Sequence, residues 1–439
     1  MFAAGLLIPV GAPAQAQAQA NPPPRPQAVT DGRHPNVLVI IADDLGWNGV
    51  GFHRPTTPTP NLNRLAKEGL EVQRFYTYPV CSPTRAALLT GRMPRRFGIV
   101  DALNPRQAGI PANTPTLPEA FRAAGYQTSL IGKWHLGQDN PPMKCGFDHF
   151  YGFMGSQIDY YNHTNPRGDR DWQRDGKALV ETGYSSYLLA DEAVRQIIQR
   201  DAKRPFFMEV AFNAPHIPLA APAELVAKHA NDGGLYIAVI EAMDIAIGRI
   251  LTALDAQGLR DNTLVVFFSD NGGGRRFIDN DPLAYGKDTI YEGGIHTPCV
   301  IRWPGKLPAG GKSGQPIAVN DFLPTLAAAA NLPGQPAMIT DGSNQWPALQ
   351  SGKTLPRPPV VIASHDIALI DGEWKLIEWE SGKYSLFNLA TDIGETNDQL
   401  ATQPELAKKL MDQLAKLETN LPAAPARREP RPGGRATRP

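Results

Sequence analysis

The chain has 439 residues with 43 basic and 43 acidic side chains, so its formal charge is zero and no overall field points to nucleic acid or to an anionic membrane. Single cores stop growing near about 250 to 300 residues, so a large domain with a smaller companion is expected. Three cysteines, Cys81, Cys145 and Cys299, are too few for a disulfide-built fold, and 42 prolines with 41 glycines suggest many ordered loops on a rigid scaffold.

Residues 1–20 read as a signal peptide. Leu6 to Val10 is a short apolar core, and the Ala-Gln alternation after it offers small-residue cleavage sites near Ala18 or Ala20; the basic n-region is missing, as in a truncated signal. The apolar run is too short for a transmembrane anchor, so no membrane span is expected, and the location read from this segment is periplasmic or secreted. Residues 21–33 form a Pro-rich linker, residues 34–355 the main domain, residues 356–420 a C-terminal α+β subdomain, and residues 421–439, with five arginines, a disordered basic tail.

Val37 to Ile41 is a continuous, β-branched apolar run, the mark of a strand buried on both faces of a parallel sheet, and it ends in Ala42, Asp43 and Asp44. After it comes Cys81, Ser82, Pro83, Thr84 and Arg85, leading into an apolar run that reads as a helix start. Thr116 can cap a helix through Ala124, with Gly125 as its stop. Gln127 to Ile131 is a strand ending in Gly132, Lys133, Trp134 and His135. Helical spacing follows over Ser186 to Arg200, then a strand over Phe206 to Phe212 that ends in Asn213, Ala214, Pro215 and His216. A helix over Leu235 to Leu254 precedes the strand Thr263 to Phe268, which ends in Ser269, Asp270, Asn271 and two glycines. From Val360 onward the pattern changes: short strands at Ile367 to Ile370, Trp374 to Trp379 and Tyr384 to Asn388, joined by tight turns, precede a helix near Pro404 to Leu417. The fold expected is α/β, a large and mostly parallel sheet flanked by helices, with a small antiparallel sheet plus helix behind it.

Four strand ends thus carry reactive side chains, and in open α/β sheets ligands bind at those ends. Asp43, Asp44, Asp270 and Asn271 supply only hard oxygen donors, which suit Ca²⁺ or Mg²⁺, and carboxylates crowded side by side repel unless a cation sits among them. If Arg85, Lys133, His135, His216 and Lys287 converge on the same place, the result is a pocket for a multiply oxygenated anion, with a sulfate or phosphate ester as the natural substrate class.

The stretch from Pro79 to Gly91 resembles the sulfatase signature, a Cys-x-Pro-x-Arg core followed by Thr-Gly, and Gly125 to His135 (GYQTSLIGKWH) resembles that family's second signature. The likeness runs on through IADDLGWNGVGFH, GFDHFYGFMGSQIDYYNH, NAPHIP, SDNGG, YEGG and SLFNLATDIGETNDQLA. The first and third of these look most like arylsulfatase B, the N-acetylgalactosamine-4-sulfatase group. The resemblance implies an alkaline phosphatase-like fold and an arylsulfatase-type sulfuric ester hydrolase. It also implies that Cys81 is oxidised to Cα-formylglycine by a formylglycine-generating enzyme. One hydroxyl of the hydrated aldehyde would attack sulfur, and the second would collapse to expel sulfate, which a serine or a thiol could not do.

By the same resemblance Asp43, Asp44, Asp270 and Asn271, with the modified Cys81, would hold one Ca²⁺. Arg85 would hold the diol, Lys133, His216 and Lys287 would grip the sulfate, His216 or Lys287 would protonate the leaving oxygen, and His135 would take the diol proton. The substrate implied is a sulfated small molecule or oligosaccharide. Two departures concern the sugar-recognising rim rather than the anion site: Ile370 and Asp371 stand where many relatives carry an arginine before Gly-x-Trp-Lys, and Cys145 and Cys299 do not match the disulfide set of secreted animal relatives. Asp159, Tyr160, His163 and His365 are the rim candidates. The rival readings are a phosphate or phosphonate monoester hydrolase of the same superfamily and a catalytically silent glycan-binding protein.

Overall fold

The computed structural model describes residues 34–104, 107–230, 234–274, 280–332, 340–418 and 421–425. The expected signal peptide and linker, and the tail beyond residue 425, lie outside the described residues. Leu421 packs against the C-terminal apolar cluster and Pro422 O accepts a hydrogen bond from Arg95 Nε at 2.9 Å, so the first residues of the expected tail are tied down.

Sixteen strands occur among the described residues. They are β1 (Asn36–Ala42), β2 (Leu70–Val72), β3 (Phe75–Tyr76), β4 (Gln127–Lys133), β5 (His149–Phe153), β6 (Gln173–Arg174), β7 (Lys177–Ala178) and β8 (Phe206–Ala211), then β9 (Thr263–Ser269), β10 (Cys299–Arg302), β11 (Gly311–Ser313), β12 (Ile317–Ala318), β13 (Val360–Ala363), β14 (Ile367–Asp371), β15 (Trp374–Glu378) and β16 (Tyr384–Asn388). Ten of them form one mixed sheet in the order β11-β2-β10-β9-β1-β8-β4-β5-β6-β7, whose centre, β9-β1-β8-β4-β5, is parallel throughout. The last four form a separate antiparallel sheet.

The continuous apolar run of β1 is explained by burial on both sides. Val37, Val39 and Ile41 face one core with α2 (Cys81–Thr90), whereas Leu38, Ile40 and Ala42 face a second core built on α6 (Gly234–Ala256). In the chain α1 (Pro60–Glu68) precedes these two helices, and α3 (Leu117–Ala123), α4 (Ser185–Gln199) and α5 (Ala223–Lys228) come between them; α3 packs in the first core and starts in a capping box, where Glu119 N donates to Thr116 Oγ1 at 3.4 Å and Thr116 N donates to Glu119 Oε2 at 3.0 Å.

Two glycines let the strand ends crowd together. A Cβ on Gly132, whose φ is +116°, would stand 1.9 Å from Ala211 O, so only glycine lets β4 lie against β8 just before Lys133. A Cβ on Gly272 would stand 1.8 Å from Gly293 O, which fixes the loop after β9 against the Tyr291 to Gly294 segment.

The small sheet is fastened to the large one by buried charge. Lys375 Nζ, on β15, lies 2.9 Å from Glu292 Oε1 and 2.7 Å from Glu395 Oε1, and Glu395 Oε2 accepts the Glu292 N–H at 2.6 Å. His296 Nδ1 meets Glu292 Oε2 at 2.9 Å. Three stretches distant in sequence, the Tyr-Glu-Gly-Gly run, the Gly-x-Trp-Lys strand and the Asp-Ile-Gly-Glu turn, therefore meet at one seam.

Candidate active site

The carboxyl ends of β1, β4 and β9, the segment after β8 and the first turn of α2 converge on Cys81, which is 1% exposed. All ten residues of α2 are buried, and Cys81 opens it with no side chain capping the turn. Its Sγ donates to Asp43 Oδ1 at 3.3 Å and lies 3.8 Å from Lys287 Nζ and 4.0 Å from Asp44 Oδ1. Burial first, and then Asp270 and Asp43, push the thiol well above its usual range, so as a thiol it is held protonated and is a poor nucleophile.

Carboxylates and cations are interleaved around it. Lys133 Nζ donates to Asp43 Oδ2 at 2.6 Å, and Lys287 Nζ to both Asp44 oxygens at 2.7 Å. Arg85 donates from Nε and Nη2 to Asp270 Oδ2 at 3.1 and 2.7 Å and from Nη1 to Lys133 O at 3.2 Å, which locks its plane. Asn271 Nδ2 donates to Asp44 Oδ1 at 2.8 Å, while its buried Oδ1 has no hydrogen-bond partner. Burial and then Asp43 raise the Asp270 carboxyl to about 6, against the pull of Arg85 and Lys133. Asp44 moves the other way: burial works against its charge, but Lys287 and His216 outweigh it.

An unpaired amide oxygen among three carboxylates is a set of hard donors short of a cation, and it fits a divalent ion with oxygen preference. Asp43, Asp44, Cys81 and His216 each offer a ligand atom, all within 4.8 Å of one another.

The two histidines are presented differently. His216 Nδ1 lies 2.6 Å from Ile217 O, a carbonyl that can only accept, so the proton is on Nδ1 and Nε2 faces Asp44 Oδ2 at 3.6 Å. Burial, with help from Lys287 and Lys133, lowers His216 to about 4 despite Asp44. His135 Nε2 likewise donates to Leu103 O at 2.9 Å, and its buried Nδ1 has no partner. Burial and then Lys133 hold it well below the usual range, so it is neutral, with a lone pair on Nδ1. Asp44, His135, Tyr285 and Asp288 all have positive φ, between 56° and 71°, a conformation that costs energy outside glycine and that clusters here in segments of the site.

All ten residues singled out from the sequence are therefore brought to one place. The rim candidates are not. Tyr160 is fully buried and its hydroxyl bonds Asn213 O at 3.1 Å and His216 O at 2.9 Å, so it shapes the His216 loop from behind. His163 is buried, stacked on Trp172, with Nε2 on Gly183 O. Asp159 accepts the N–H groups of Tyr161 and Asn162 in a surface turn. His365 alone of the four lines a cleft, together with Pro79 and Val80, the two residues before Cys81 in the chain. Two supports carry no sequence signal of their role, Ser82 Oγ, which donates to His135 O at 2.9 Å and accepts Leu103 N–H at 3.0 Å, and the Leu103 carbonyl, while Tyr160 is a prop rather than a rim residue. Cys145 and Cys299 are both buried and unpaired with each other.

The Sulfatase family profile matches residues 35–332. N-acetylgalactosamine-6-sulfatase of Canis lupus familiaris is 35% identical over 354 residues, which cover 74% of this chain and 67% of the relative. Arylsulfatase J of Mus musculus is 32% identical over 384 residues, 83% of this chain and 64% of the relative. The chain thus spans about two thirds of the length of these curated relatives. Among solved structures, Ps i-CgsB in complex with k-i-k-neocarrahexaose matches with a TM-score of 0.83 and 32% identity, covering 89% of this chain and 94% of that one.

Proposed function

Starting from membership of the sulfatase family, to which this chain belongs, we propose that it removes sulfate from a sulfated carbohydrate and from aryl sulfates, with Cys81 matured to formylglycine and one Ca²⁺ bound beside it. The observation that carries this reading is the buried Cys81 at a helix start, with Asp43 Oδ1 at 3.3 Å and Lys287 Nζ at 3.8 Å from its sulfur. A sugar substrate is supported by the relatives' names, one a sulfatase of N-acetylgalactosamine and another a protein solved with a neocarrahexaose. The position of the ester is not carried over, because the 6-sulfatase name and the arylsulfatase B likeness point to different carbons.

Asp43, Asp44, Asp270 and Asn271 are the residues that would hold the ion, which would polarise a sulfate oxygen and lower the pKa of a hydroxyl beside it. Carried as formylglycine, residue 81 supplies a hydrated aldehyde, with one hydroxyl to attack sulfur and a second whose deprotonation expels sulfate. The chain's own groups do the rest. Arg85, fixed by Asp270 and by Lys133 O, orients the nucleophile and offsets its charge. Lys133 and Lys287 bind sulfate oxygens in place of the carboxylates they meet here.

For the leaving oxygen two donors are near. Burial opposes the Lys287 charge, but Asp44 outweighs it and holds its proton well above the usual lysine range, which makes it a reluctant acid. His216, whose Nε2 faces the site but which burial holds neutral, would first have to take up a proton as the bound sulfate offsets the lysine charges, so the donor is His216 or Lys287. His135, neutral with a lone pair on Nδ1, is the acceptor for the proton lost in the second step.

Export is part of this reading and rests on the apolar and Ala-Gln segments of residues 1–20. The test is to co-produce the protein with a formylglycine-generating enzyme, measure the mass of the peptide holding Cys81, and compare turnover of 4-nitrophenyl sulfate with that of 4-nitrophenyl phosphate. A converted Cys81 with sulfate preferred is expected. Full activity with an unmodified thiol, or preference for phosphate, overturns the proposal.

A further inference from the structure

A cleft of about 100 Å³ is lined by Pro79 and Val80, the two residues before Cys81 in the chain, and by Asp101, Asp288, His365 and Asp366. Its place in the chain ties it to the reacting centre. Val80 directly precedes Cys81, and Asp288 directly follows Lys287, whose Nζ is 3.8 Å from Cys81 Sγ. Asp288 N donates to Pro79 O at 3.0 Å, which closes the two segments on each other. Asp101 stands two residues before Leu103, whose carbonyl holds His135. His365 comes from the turn between β13 and β14, so the C-terminal sheet supplies the far wall.

The one imidazole of the cleft is anchored on its acidic wall. His365 is 7% exposed. Its Nε2 is bonded to Asp101 Oδ2 at 2.8 Å, while its buried Nδ1 has no hydrogen-bond partner, the Glu380 carboxylate lying 3.7 Å away. A buried, unpaired ring nitrogen is costly unless something fills its valence. The charge of the lining is all of one sign: three carboxylates and no lysine or arginine among the described residues. Within one residue of this wall the sign reverses, since Lys287 leads to Lys133 and Arg85 around Cys81. Burial raises the Asp288 carboxyl against the pull of Lys287, and Asp44 and Asp101 add to the rise, so this wall feels the charges of the reacting centre.

We infer that this cleft receives an uncharged, hydroxyl-bearing part of the substrate next to the scissile ester, and that Asp101, Asp288 and Asp366 exclude a second sulfate or a carboxylate from that position. The inference rests on the sulfatase reading and deepens it. Volume does not make the choice, because the space exceeds what one water needs and a compact anion is not much larger than the hydroxyl arm it would replace. Charge makes it: hydroxyl groups donate to carboxylates, whereas an anion brings only acceptors against acceptors. The protein then acts where the position adjoining the scissile ester carries a free hydroxyl, and where that position is also sulfated, a reaction that removes that neighbouring sulfate must come first.

The charge selection is read with three aryl sulfates that differ only at the meta position, 3-(hydroxymethyl)phenyl, 3-(aminomethyl)phenyl and 3-carboxyphenyl sulfate, on matured wild type and on the D101N/D288N double variant. Wild type is expected to favour the hydroxymethyl and aminomethyl esters over the carboxylate by about tenfold in kcat/KM, and the double variant to shrink that ratio to about twofold. The ratio is taken within each protein, so a general loss of activity does not affect it. A wild-type ratio below about twofold, or a ratio unchanged in the variant, overturns the inference while leaving the sulfatase reading intact. No turnover of any of the three by matured wild type overturns that reading and this inference with it.

Discussion

Two clusters of buried charge, one around Cys81 and one at the seam between the sheets, use the same kinds of side chain and differ in closure. At the seam every charge meets an opposite one: Lys375 is hydrogen-bonded to Glu292 at 2.9 Å and ion-paired at 2.7 Å with Glu395 Oε1, an oxygen that has no hydrogen bond, and His296 takes a further oxygen of Glu292. Around Cys81 each cation also has a carboxylate, yet Asn271 Oδ1 and His135 Nδ1 are buried without partners, and the thiol is held protonated. The lesson is that buried charge alone does not mark a reaction centre. A cluster whose members complete one another fastens structure, and one with unmet valence is shaped for something that arrives later.

Each cluster can be broken in its own way, and the effects should fall in different measurements. The largest is expected at Cys81. Cys81→Ala should lower turnover of 4-nitrophenyl sulfate by about 10⁴-fold or more, while the thermal midpoint moves by only about 2 °C, since a small buried side chain is being shortened. A variant that keeps more than about a hundredth of the activity would remove Cys81 from the centre of the mechanism.

Lys375→Met should do the reverse. Leaving Glu292 and Glu395 buried without their cation is expected to cost about 3–5 kcal/mol in denaturant unfolding, with KM for aryl sulfate little changed in whatever remains folded. A cost below about 1 kcal/mol would show that the seam is not a closed charge cluster. Third, chelation with EDTA should abolish turnover and lower the thermal midpoint, with Ca²⁺ restoring both. At a hundred times its Kd, a bound ion contributes about 2.7 kcal/mol. Unchanged activity after exhaustive chelation would contradict the metal assignment.

The smallest effect is a slope. In the folded chain burial, and then Glu292, raises Glu395 to about 7 from 4.5, despite Lys375. Between those two values the folded state keeps a proton that the unfolded chain has lost, so this group makes stability fall as pH rises through that window. Glu292 acts on the other side: although burial opposes its charge, Lys375 and His296 pull it down to about 2, and its contribution is lost as pH falls below 4.5. Glu395→Gln should therefore flatten the decline in stability between about pH 4.5 and 7, followed by thermal unfolding across that range. An unaltered slope would assign it to another group.

The strand ends were legible because a run such as Val37 to Ile41 can be apolar at every position only if both faces are covered, and the sheet does cover both. The residues that follow such runs must then emerge at one edge, which is how Asp43, Lys133, His216 and Asp270 could be grouped before their distances were known. The small C-terminal sheet was legible from its turns, Asp371-Gly372 and Ser381-Gly382. What the sequence did not disclose depends on backbone atoms or on coincidence in space. The Leu103 carbonyl that sets the tautomer of His135 has no side-chain signature, Tyr160 and His163 look like any polar aromatic until their burial is known, and nothing in Lys375 or Glu395 tells that they meet.

The burial of α2 has a consequence for how the protein is made. If Cys81 is matured to formylglycine as proposed, its 1% exposure and the enclosure of every residue of its helix require the maturing enzyme to act before the core has formed. On that proposal oxidation and folding compete for the same newly made chain, and the converted fraction would be decided by which is faster, not by the stability of the product. Faster folding, from a substitution that stabilises the folding nucleus, would then yield more folded protein with Cys81 unconverted.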